Sequence, residues 1–115
     1  MKLYGYRKCG TCRKATKWLD AQGIDYDFVD ITEQPPTKAE LKQVLAAGYE
    51  LKALFNRSGG QYRELNIKHK LPVMSEDQAI DLLCGNGYLV KRPICLSGGK
   101  VTVGFKEADF ESVWG

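Results

Sequence analysis

The first thirty-one residues restrict the fold more than any other part of the chain. A short segment rich in Leu and Tyr leads into a helical pattern, which ends at Gly23. The inner face of that predicted helix carries Cys12, Ala15, Thr16 and Leu19. Residues 26–31 then alternate in the way a strand does. A strand, a helix and a second strand form a βαβ unit, so we predict a sheet-based α/β fold with two parallel strands at its start.

Two capping-box signatures predict helices in the middle of the chain. Thr37 is followed three residues later by Glu40, and Ser75 is followed at the same spacing by Gln78. Near the end, Gly98 and Gly99 separate two β-rich segments at 89–97 and 100–105, which is typical of a hairpin. A last amphipathic helix is predicted over 107–114. The whole order predicts a small mixed sheet covered by helices.

Size and charge limit the classes of protein to consider. The 115 residues fit one domain, with hydrophobic and charged fractions of 43% and 27% that are ordinary for globular chains. A formal charge of +3 does not demand nucleic-acid binding, and no apolar run is long enough for a membrane span. The N-terminus does not look like a secretory signal, so we expect a cytoplasmic protein whose thiols stay reduced.

The motif Cys9-Gly10-Thr11-Cys12 could hold a metal, form a structural disulfide, pack quietly or act as a reactive thiol pair. A zinc site needs four ligands, and Cys84, Cys95 and the lone His69 do not provide a second metal-binding pair. We therefore expect no metal. Burial in the core is the favoured interpretation of Cys84 and Cys95, although Cys95 is the better candidate for a third redox thiol. His69 lies in a polar run and is expected on the surface.

The residues around the motif favour thiol chemistry. Cys9 directly precedes a predicted helix, whose free amides and positive dipole end would stabilise a thiolate. Lys8 and Arg13 add positive charge close by. Cys12, one helical turn further on, is placed to attack a bond formed at Cys9. In a cytosolic βαβ unit this motif indicates a redox pair.

Four stretches occur in an order that resembles the ArsC/Spx family, the glutaredoxin-linked arsenate reductases and their CxxC-containing relatives. They are KCGTCRKATKWL, LFNRSGGQYRELN, VKRPI and VTVGFKEADF. The resemblance covers essentially the whole chain and implies a thioredoxin-like, glutaredoxin-like fold. It implies a mixed β-sheet built from about 1–33 and 87–115, with an inserted helical bundle at about 35–86. It also implies a cis peptide bond before Pro93, facing the Cys9 loop.

The resemblance also implies a site for an anion. In the arsenate reductases of this family the first cysteine of the motif attacks the oxyanion, so Cys9 would be the nucleophile. Arg92 matches the arginine of the family's RPI motif. The other residues expected to bind the anion or substrate are Gly10, Thr11, Arg13, Arg57 and Lys106. Helix amides and an arginine fork suit such a ligand.

The chain departs from the arsenate reductases at four positions. Serine is usual where Cys12 stands, so this protein could resolve an oxidised Cys9 internally. A histidine is usual four residues before the nucleophile, where Gly5 is found. Lys106 replaces an arginine and keeps the charge without the bidentate fork. Arg57 is displaced by about one position from the remaining arginine.

We predict a cytosolic, monomeric thiol–disulfide redox protein that reduces arsenate or another small oxyanion or disulfide. Cys9 attacks and Cys12 resolves, with no bound cofactor, and glutaredoxin with glutathione, or thioredoxin, would donate electrons. The alternative is an Spx/MgsR-like redox-sensing regulator that binds RNA polymerase and uses the CxxC motif as a switch. Neither prediction includes direct binding to nucleic acid or to a membrane.

Overall fold

A four-stranded mixed sheet forms the centre of the computed structural model, which describes residues 1–115. The strands are β1 (Lys2–Gly5), β2 (Asp27–Asp30), β3 (Ile94–Ser97) and β4 (Lys100–Val103). Their order in the sheet is β2-β1-β3-β4. Strand β1 pairs in parallel with β2 and antiparallel with β3, and β3 pairs antiparallel with β4. Strand β1 therefore lies between β2, from the early part of the chain, and β3, from its late part.

Helices cover both faces of this sheet. They are α1 (Gly10–Ala21), α2 (Lys38–Ala46), α3 (Gly60–Glu64), α4 (Ile67–Lys70), α5 (Glu76–Gly85) and α6 (Glu107–Trp114). Short 3₁₀ turns occupy Leu51–Leu54, Leu71–Val73 and Gly87–Leu89. No helix has both the length and the apolar character needed to cross a membrane. The architecture is thioredoxin-like with helices inserted between β2 and β3, which confirms the predicted fold class.

Alternation along β1 produces two separate cores. Leu3 faces α1 and α6 and is fully buried in a cluster with Ala15, Leu19, Cys95 and Phe110. Tyr4 points to the opposite face, where it joins a larger cluster that includes residues of α2 and α5. Successive strand residues point to opposite faces, so this short strand serves both cores. The predicted burial of Cys95 is confirmed, and His69 is exposed as expected.

Both predicted capping boxes are present. At the start of α2, the Thr37 N–H donates to Glu40 Oε1 at 3.0 Å and the Glu40 N–H donates to Thr37 Oγ1 at 3.2 Å. At the start of α5, Ser75 and Gln78 make the same reciprocal bonds at 3.0 and 3.2 Å. Each box satisfies amides that a helix start would otherwise leave free.

The β-rich segment predicted over 89–97 is longer than the strand that forms. Only Ile94–Ser97 joins the sheet, and Val90 makes an isolated bridge with Phe55 instead. The Arg92–Pro93 peptide bond is cis. Pro93 has no N–H to give to a strand ladder, so the strand begins after it. This break lets the chain turn past the Cys9 loop before it enters the sheet.

Candidate active site around Cys9

Cys9 stands at the N-cap of α1, in the loop that follows β1. Its backbone is extended, with φ −85° and ψ 121°, and its carbonyl accepts the first helical hydrogen bond from the Arg13 N–H at 3.1 Å. Its own N–H donates to the Tyr6 carbonyl at 2.9 Å, which closes the loop. No acidic residue lies in the first turn of α1. The half-buried thiol therefore meets the positive end of the helix dipole without a competing carboxylate.

The surroundings of Cys9 favour its thiolate. Burial alone would raise the pKa of this thiol, but the amides of Cys12 and Thr11, the Cys12 thiol and the Arg92 guanidinium together outweigh that effect. The pKa of Cys9 is therefore lower than that of an ordinary cysteine. A thiolate is the nucleophilic form of cysteine, so these surroundings make Cys9 the candidate nucleophile of the pair.

Cys12 has the opposite character. Burial, together with the neighbouring Cys9 charge, raises the pKa of Cys12 to about 12. The side chain is almost fully buried, and its sulfur accepts a hydrogen bond from the Tyr6 N–H at 3.4 Å. A protected thiol one helical turn after an activated one suits a cysteine that reacts second.

Arg92 comes to the site from the far end of the sequence. It directly precedes the cis Pro93, and its guanidinium carbon lies 5.3 Å from the centre of the Tyr6 ring. Its Nη1 atom is buried and has no hydrogen-bond partner. A buried guanidinium nitrogen without an acceptor is costly, so this atom is a donor available to an anionic group.

A cleft of about 240 Å³ opens onto Cys9. Its lining comes from α1, from the loop after Phe55 and from the segment before β3; the residues are Cys9, Thr11, Asn56, Ser58, Gly59, Lys91 and Arg92. Sequence reasoning predicted Cys9, Thr11 and Arg92 but missed the other four. The signal was present in the turn-forming run Asn-Arg-Ser-Gly-Gly, where only the arginine was considered.

The remaining predicted anion-binding residues lie elsewhere. Arg57 and Lys106 line an adjacent cavity of about 500 Å³, which shares only Ser58 and Lys91 with the Cys9 cleft. Arg13 lines a different cavity, and its Nη2 donates to the Lys8 carbonyl at 3.3 Å. Gly10 is the exposed first residue of α1. The structure thus places Arg92, together with the unpredicted Lys91, in the Cys9 cleft. It places Arg13, Arg57 and Lys106 in the lining of other cavities.

Gly5 packs directly against the residues that surround the buried Cys12 thiol. A Cβ atom at this position would lie 2.9 Å from Leu3 Cδ2, 3.2 Å from Phe28 Cε2 and 3.3 Å from Cys12 Sγ. The space for a side chain is therefore already filled by the residues around the buried thiol. A larger side chain at position 5, such as the histidine expected from the family, would collide with Leu3, Phe28 and Cys12.

Taken together, these groups can carry out a two-step thiol exchange. Cys9 supplies an accessible thiolate, Cys12 supplies a shielded second thiol, and Arg92 offers a free donor beside them. The cleft is small and polar, so the reacting group must be compact or must be the exposed end of a larger molecule.

Comparison with known proteins identifies the family of the chain. The profile of the ArsC family matches residues 4–113. The uncharacterized protein YusI of Bacillus subtilis (strain 168) is 53% identical over 99% of this chain and 98% of its own length. The global transcriptional regulator Spx 2 of Bacillus cereus is 29% identical over 93% of this chain and 81% of its own length.

A solved structure has the same fold. A possible arsenate reductase from Streptococcus mutans UA159 superimposes with a TM-score of 0.88 at 39% identity, and the match covers 96% of each chain. Its similarity extends through the sheet, the inserted helices and the last helix, because nearly the whole chain is included. The chain described here therefore belongs to the ArsC family.

Proposed function

We propose that this protein is a cytosolic thiol–disulfide oxidoreductase that reduces its substrate through Cys9 and Cys12. One observation carries the proposal: an activated Cys9 thiolate and a shielded Cys12 thiol lie side by side at the start of α1. Such a pair separates the roles of attacking and resolving thiol, because only the ionised sulfur attacks first.

The reaction proceeds in two balanced steps. The Cys9 thiolate attacks one sulfur of a disulfide, a Cys9–substrate bond forms, and the other substrate sulfur leaves as a thiolate that takes up a proton. Cys12 then gives up its proton and attacks Cys9 Sγ, which releases the second substrate sulfur. The substrate gains two electrons and becomes two thiols, while the protein becomes the Cys9–Cys12 disulfide.

The environment of Cys12 favours this order. The Cys9 charge is one of the causes that keep the pKa of Cys12 high. That charge disappears when Cys9 enters a mixed disulfide, so the second thiol ionises more easily at the moment it is needed. The two cysteines are therefore coupled by electrostatics as well as by proximity.

A disulfide fits the cations better than arsenate does. A tetrahedral oxyanion is best held by several donors that converge on one point. Here the cations of the Cys9 cleft are Arg92 and Lys91, whereas Arg57 and Lys106 line the adjacent cavity. We propose that Arg92 stabilises the Cys9 thiolate and the departing sulfur, and that reduced glutaredoxin with glutathione, or thioredoxin, restores the dithiol.

The first test is a single-turnover reaction with a neutral dipyridyl disulfide. The reduced wild-type protein is expected to release both thiopyridine groups rapidly and to end with a Cys9–Cys12 disulfide. Cys12→Ser should stop at a mixed disulfide on Cys9, and Cys9→Ser should show only slow reaction at other thiols. Equal rates for Cys9→Ser and the wild-type protein would refute the proposal.

A coupled assay distinguishes the substrates. NADPH consumption is followed with arsenate or with a disulfide, once through glutaredoxin and glutathione and once through thioredoxin. Disulfide-dependent turnover without arsenate-dependent turnover is the expected result. Arsenate turnover that is lost in Cys9→Ser would instead establish an arsenate reductase.

A second candidate is a redox-sensing regulator, and the similarity to Spx 2 over most of the chain favours it. In that role the same disulfide would form once and alter a protein interface, with RNA polymerase as the proposed partner. Pull-downs of RNA polymerase with the reduced and the oxidised protein test this directly. Binding that depends on the oxidation state, without turnover in the coupled assay, would favour the regulator.

A further inference from the structure

Three cavities lie in a row from Cys9 towards the inserted helices. The Cys9 cleft shares Ser58 and Lys91 with the middle cavity of about 500 Å³. The middle cavity shares Arg57 with an outer cavity of about 340 Å³, beside α3 and α4. Because each cavity shares lining residues with the next, the three adjoin one another, and we call them together the basic trough.

The trough is lined by positive charge that the protein itself does not neutralise. Its cationic residues are Arg57, Arg63, Lys68, Lys91, Arg92 and Lys106. None of them belongs to an ion pair. Asp109 is the one carboxylate among the lining residues. The ion pairs of the protein involve Lys2, Lys38, Lys42 and Lys52, which do not line the trough.

The whole chain has 17 lysine and arginine residues and a formal charge of only +3, and six of the 17 line the trough beside a single carboxylate. The trough, which ends at Cys9, therefore carries a local excess of positive charge, although other lysines and arginines without ion pairs lie elsewhere on the protein. Concave surfaces of one sign focus the electrostatic potential and accelerate the arrival of oppositely charged ligands. The Cys9 cleft is only one of the three cavities, so a ligand that occupies all of them must be larger than a small thiol.

We infer that the basic trough docks an acidic peptide segment of a protein substrate, with the substrate's disulfide held at Cys9. This inference rests on the thiol–disulfide function proposed above. The substrate cysteine that Cys9 attacks would lie in the Cys9 cleft. Carboxylates on one side of this cysteine in the substrate sequence would lie near Lys91, Lys106 and Arg57. Further carboxylates would reach Arg63 and Lys68.

The lining favours a peptide over single-stranded nucleic acid. Nucleic-acid grooves combine cations with exposed aromatic rings on which bases stack. In the trough the aromatic rings of Phe55 and Tyr62 are buried, with only 1% and 8% of their surface exposed. The third aromatic residue, Tyr49, is half-buried, and its hydroxyl accepts a hydrogen bond from the Val103 N–H at 3.4 Å. The polar side chains of Asn56, Ser58 and Asn66 can instead bond to a peptide backbone.

The test compares two peptides whose cysteine is linked to mercaptoethanol. One peptide carries Glu and Asp after the cysteine, and the matched peptide carries Gln and Asn. Cys9 attacks the peptide sulfur and expels mercaptoethanol, and Cys12 then expels the peptide thiol, so the reduced protein needs no external reductant. Formation of the Cys9–Cys12 disulfide is timed by acid quenching and mass spectrometry.

The acidic peptide is expected to react on the order of tenfold faster at low ionic strength, and the ratio should shrink as salt is added. The double variant Arg63→Glu, Lys68→Glu should bring the ratio of the two rates close to one. The matched variant Lys17→Glu, Lys100→Glu changes the net charge equally at exposed positions outside the trough, and it should keep a ratio well above one.

Four results would overturn the inference. If the wild-type protein reacts with the neutral dipyridyl disulfide but treats both peptides alike, the trough is not a peptide site, although the proposed function stands. If both double variants lower the ratio of the acidic-peptide rate to the neutral-peptide rate equally, the preference depends on the net charge of the protein and not on the trough. If a single-stranded DNA oligonucleotide binds wild type more tightly than the trough variant while the peptide rates are equal, the trough is a nucleic-acid site. No reaction of Cys9 with any disulfide would refute the proposed function as well.

Discussion

The backbone N–H of Tyr6 donates a hydrogen bond to the Sγ atom of Cys12 at 3.4 Å. The ring of the same tyrosine lies beneath Arg92, the arginine that helps to lower the pKa of Cys9. One residue of the loop after β1 thus contacts both the resolving thiol and the group that supports the attacking thiolate. The two thiols differ mainly because Cys12 is buried: burial raises its pKa, and the Tyr6 N–H bond, which acts in the opposite direction, offsets only part of that effect.

Alkylation should therefore distinguish the four cysteines. Cys9 is expected to react with iodoacetamide at a lower pH than an unfolded cysteine does, because donors around its sulfur lower its pKa. Cys12 and Cys95 should remain protected at neutral pH, since burial raises the pKa of each to about 12. Rates at each cysteine are measured by peptide mapping over a pH series in the presence of a phosphine reductant.

The half-buried Cys84 serves as an internal control in the same digest. Burial, with the nearby Asp81 charge, raises the pKa of Cys84, so it should react later than Cys9 as the pH rises. In urea all four cysteines should behave alike. If the alkylation of Cys9 has the same pH midpoint in the folded and the unfolded protein, the fold does not lower the pKa of Cys9.

Replacing Arg92 should weaken the activation of Cys9. The Arg92→Met variant removes a donor that favours the thiolate, so the pKa of Cys9 should rise. Reactivity at neutral pH should fall severalfold, because a smaller fraction of the Cys9 thiol is then ionised. Arg92→Lys should recover only part of the loss, because lysine lacks the planar fork. The measurement is the pH profile of Cys9 alkylation.

Lys100→Met provides the matched control for this substitution, because it removes an exposed charge from the start of β4. Its pH profile should coincide with that of the wild-type protein. Circular dichroism spectra of all variants check that the fold is intact. A wild-type profile for Arg92→Met would show that the guanidinium does not act on the thiolate.

Gly5→Ala should destabilise the protein although the added group is only a methyl. The new Cβ would lie 2.9 Å from Leu3 Cδ2 and 3.3 Å from Cys12 Sγ, inside a core where neither residue has room to move. Overpacking of this kind costs about 1–3 kcal/mol of the free energy of unfolding. The change is read from urea unfolding curves.

A glycine with open space provides the comparison. Gly85 ends α5, and a Cβ atom there would meet nothing within 4 Å, so Gly85→Ala should leave stability unchanged or raise it slightly. The double variant Gly5→Ala, Cys12→Ala should recover part of the loss, because removal of the sulfur frees space. Equal stability of Gly5→Ala and wild type would contradict the packing described here.

The charge of Glu40 should contribute to stability at neutral pH. Burial alone would raise its pKa, but the Thr37 N–H, the Tyr4 hydroxyl and Lys2 together lower it. The Tyr4 hydroxyl donates to Glu40 Oε1 at 2.6 Å. Because the folded pKa is lower than the unfolded one, the stabilisation is present above the ordinary glutamate pKa. It is lost as the pH falls through the lowered value.

Glu40→Gln keeps the capping geometry and removes the charge, so it should cost about 1 kcal/mol at neutral pH. The difference from wild type should disappear in acid. Urea unfolding over a pH series measures both effects. Glu33→Gln, at an exposed position, should match wild type throughout, and a pH-independent difference for Glu40→Gln would mean that the charge is not involved.

The sequence was sufficient for features that depend on neighbouring residues. The start of α1 at the Cys-x-x-Cys motif, the two capping boxes and the hairpin at Gly98 are all formed by residues within a few positions of one another. Local hydrogen bonds and backbone preferences select such features, so a short pattern carries the necessary information. The family resemblance added the overall fold, which the mixed sheet confirms.

The family resemblance predicted Arg92 at Cys9, but only the tertiary structure separated it from the other predicted cations. Arg92 arrives there because β3 pairs with β1 and the chain turns at Pro93, whereas Arg57 and Lys106 line a neighbouring cavity. The parallel pairing of β1 with β2 and the packing of α1 bring Phe28 and Cys12 close to Gly5 and leave no room for a side chain there. Such contacts result from packing between segments far apart in sequence, where a shift of a few ångströms separates one cavity from the next. The sequence determined which thiol could react, and the packing decided what surrounds it.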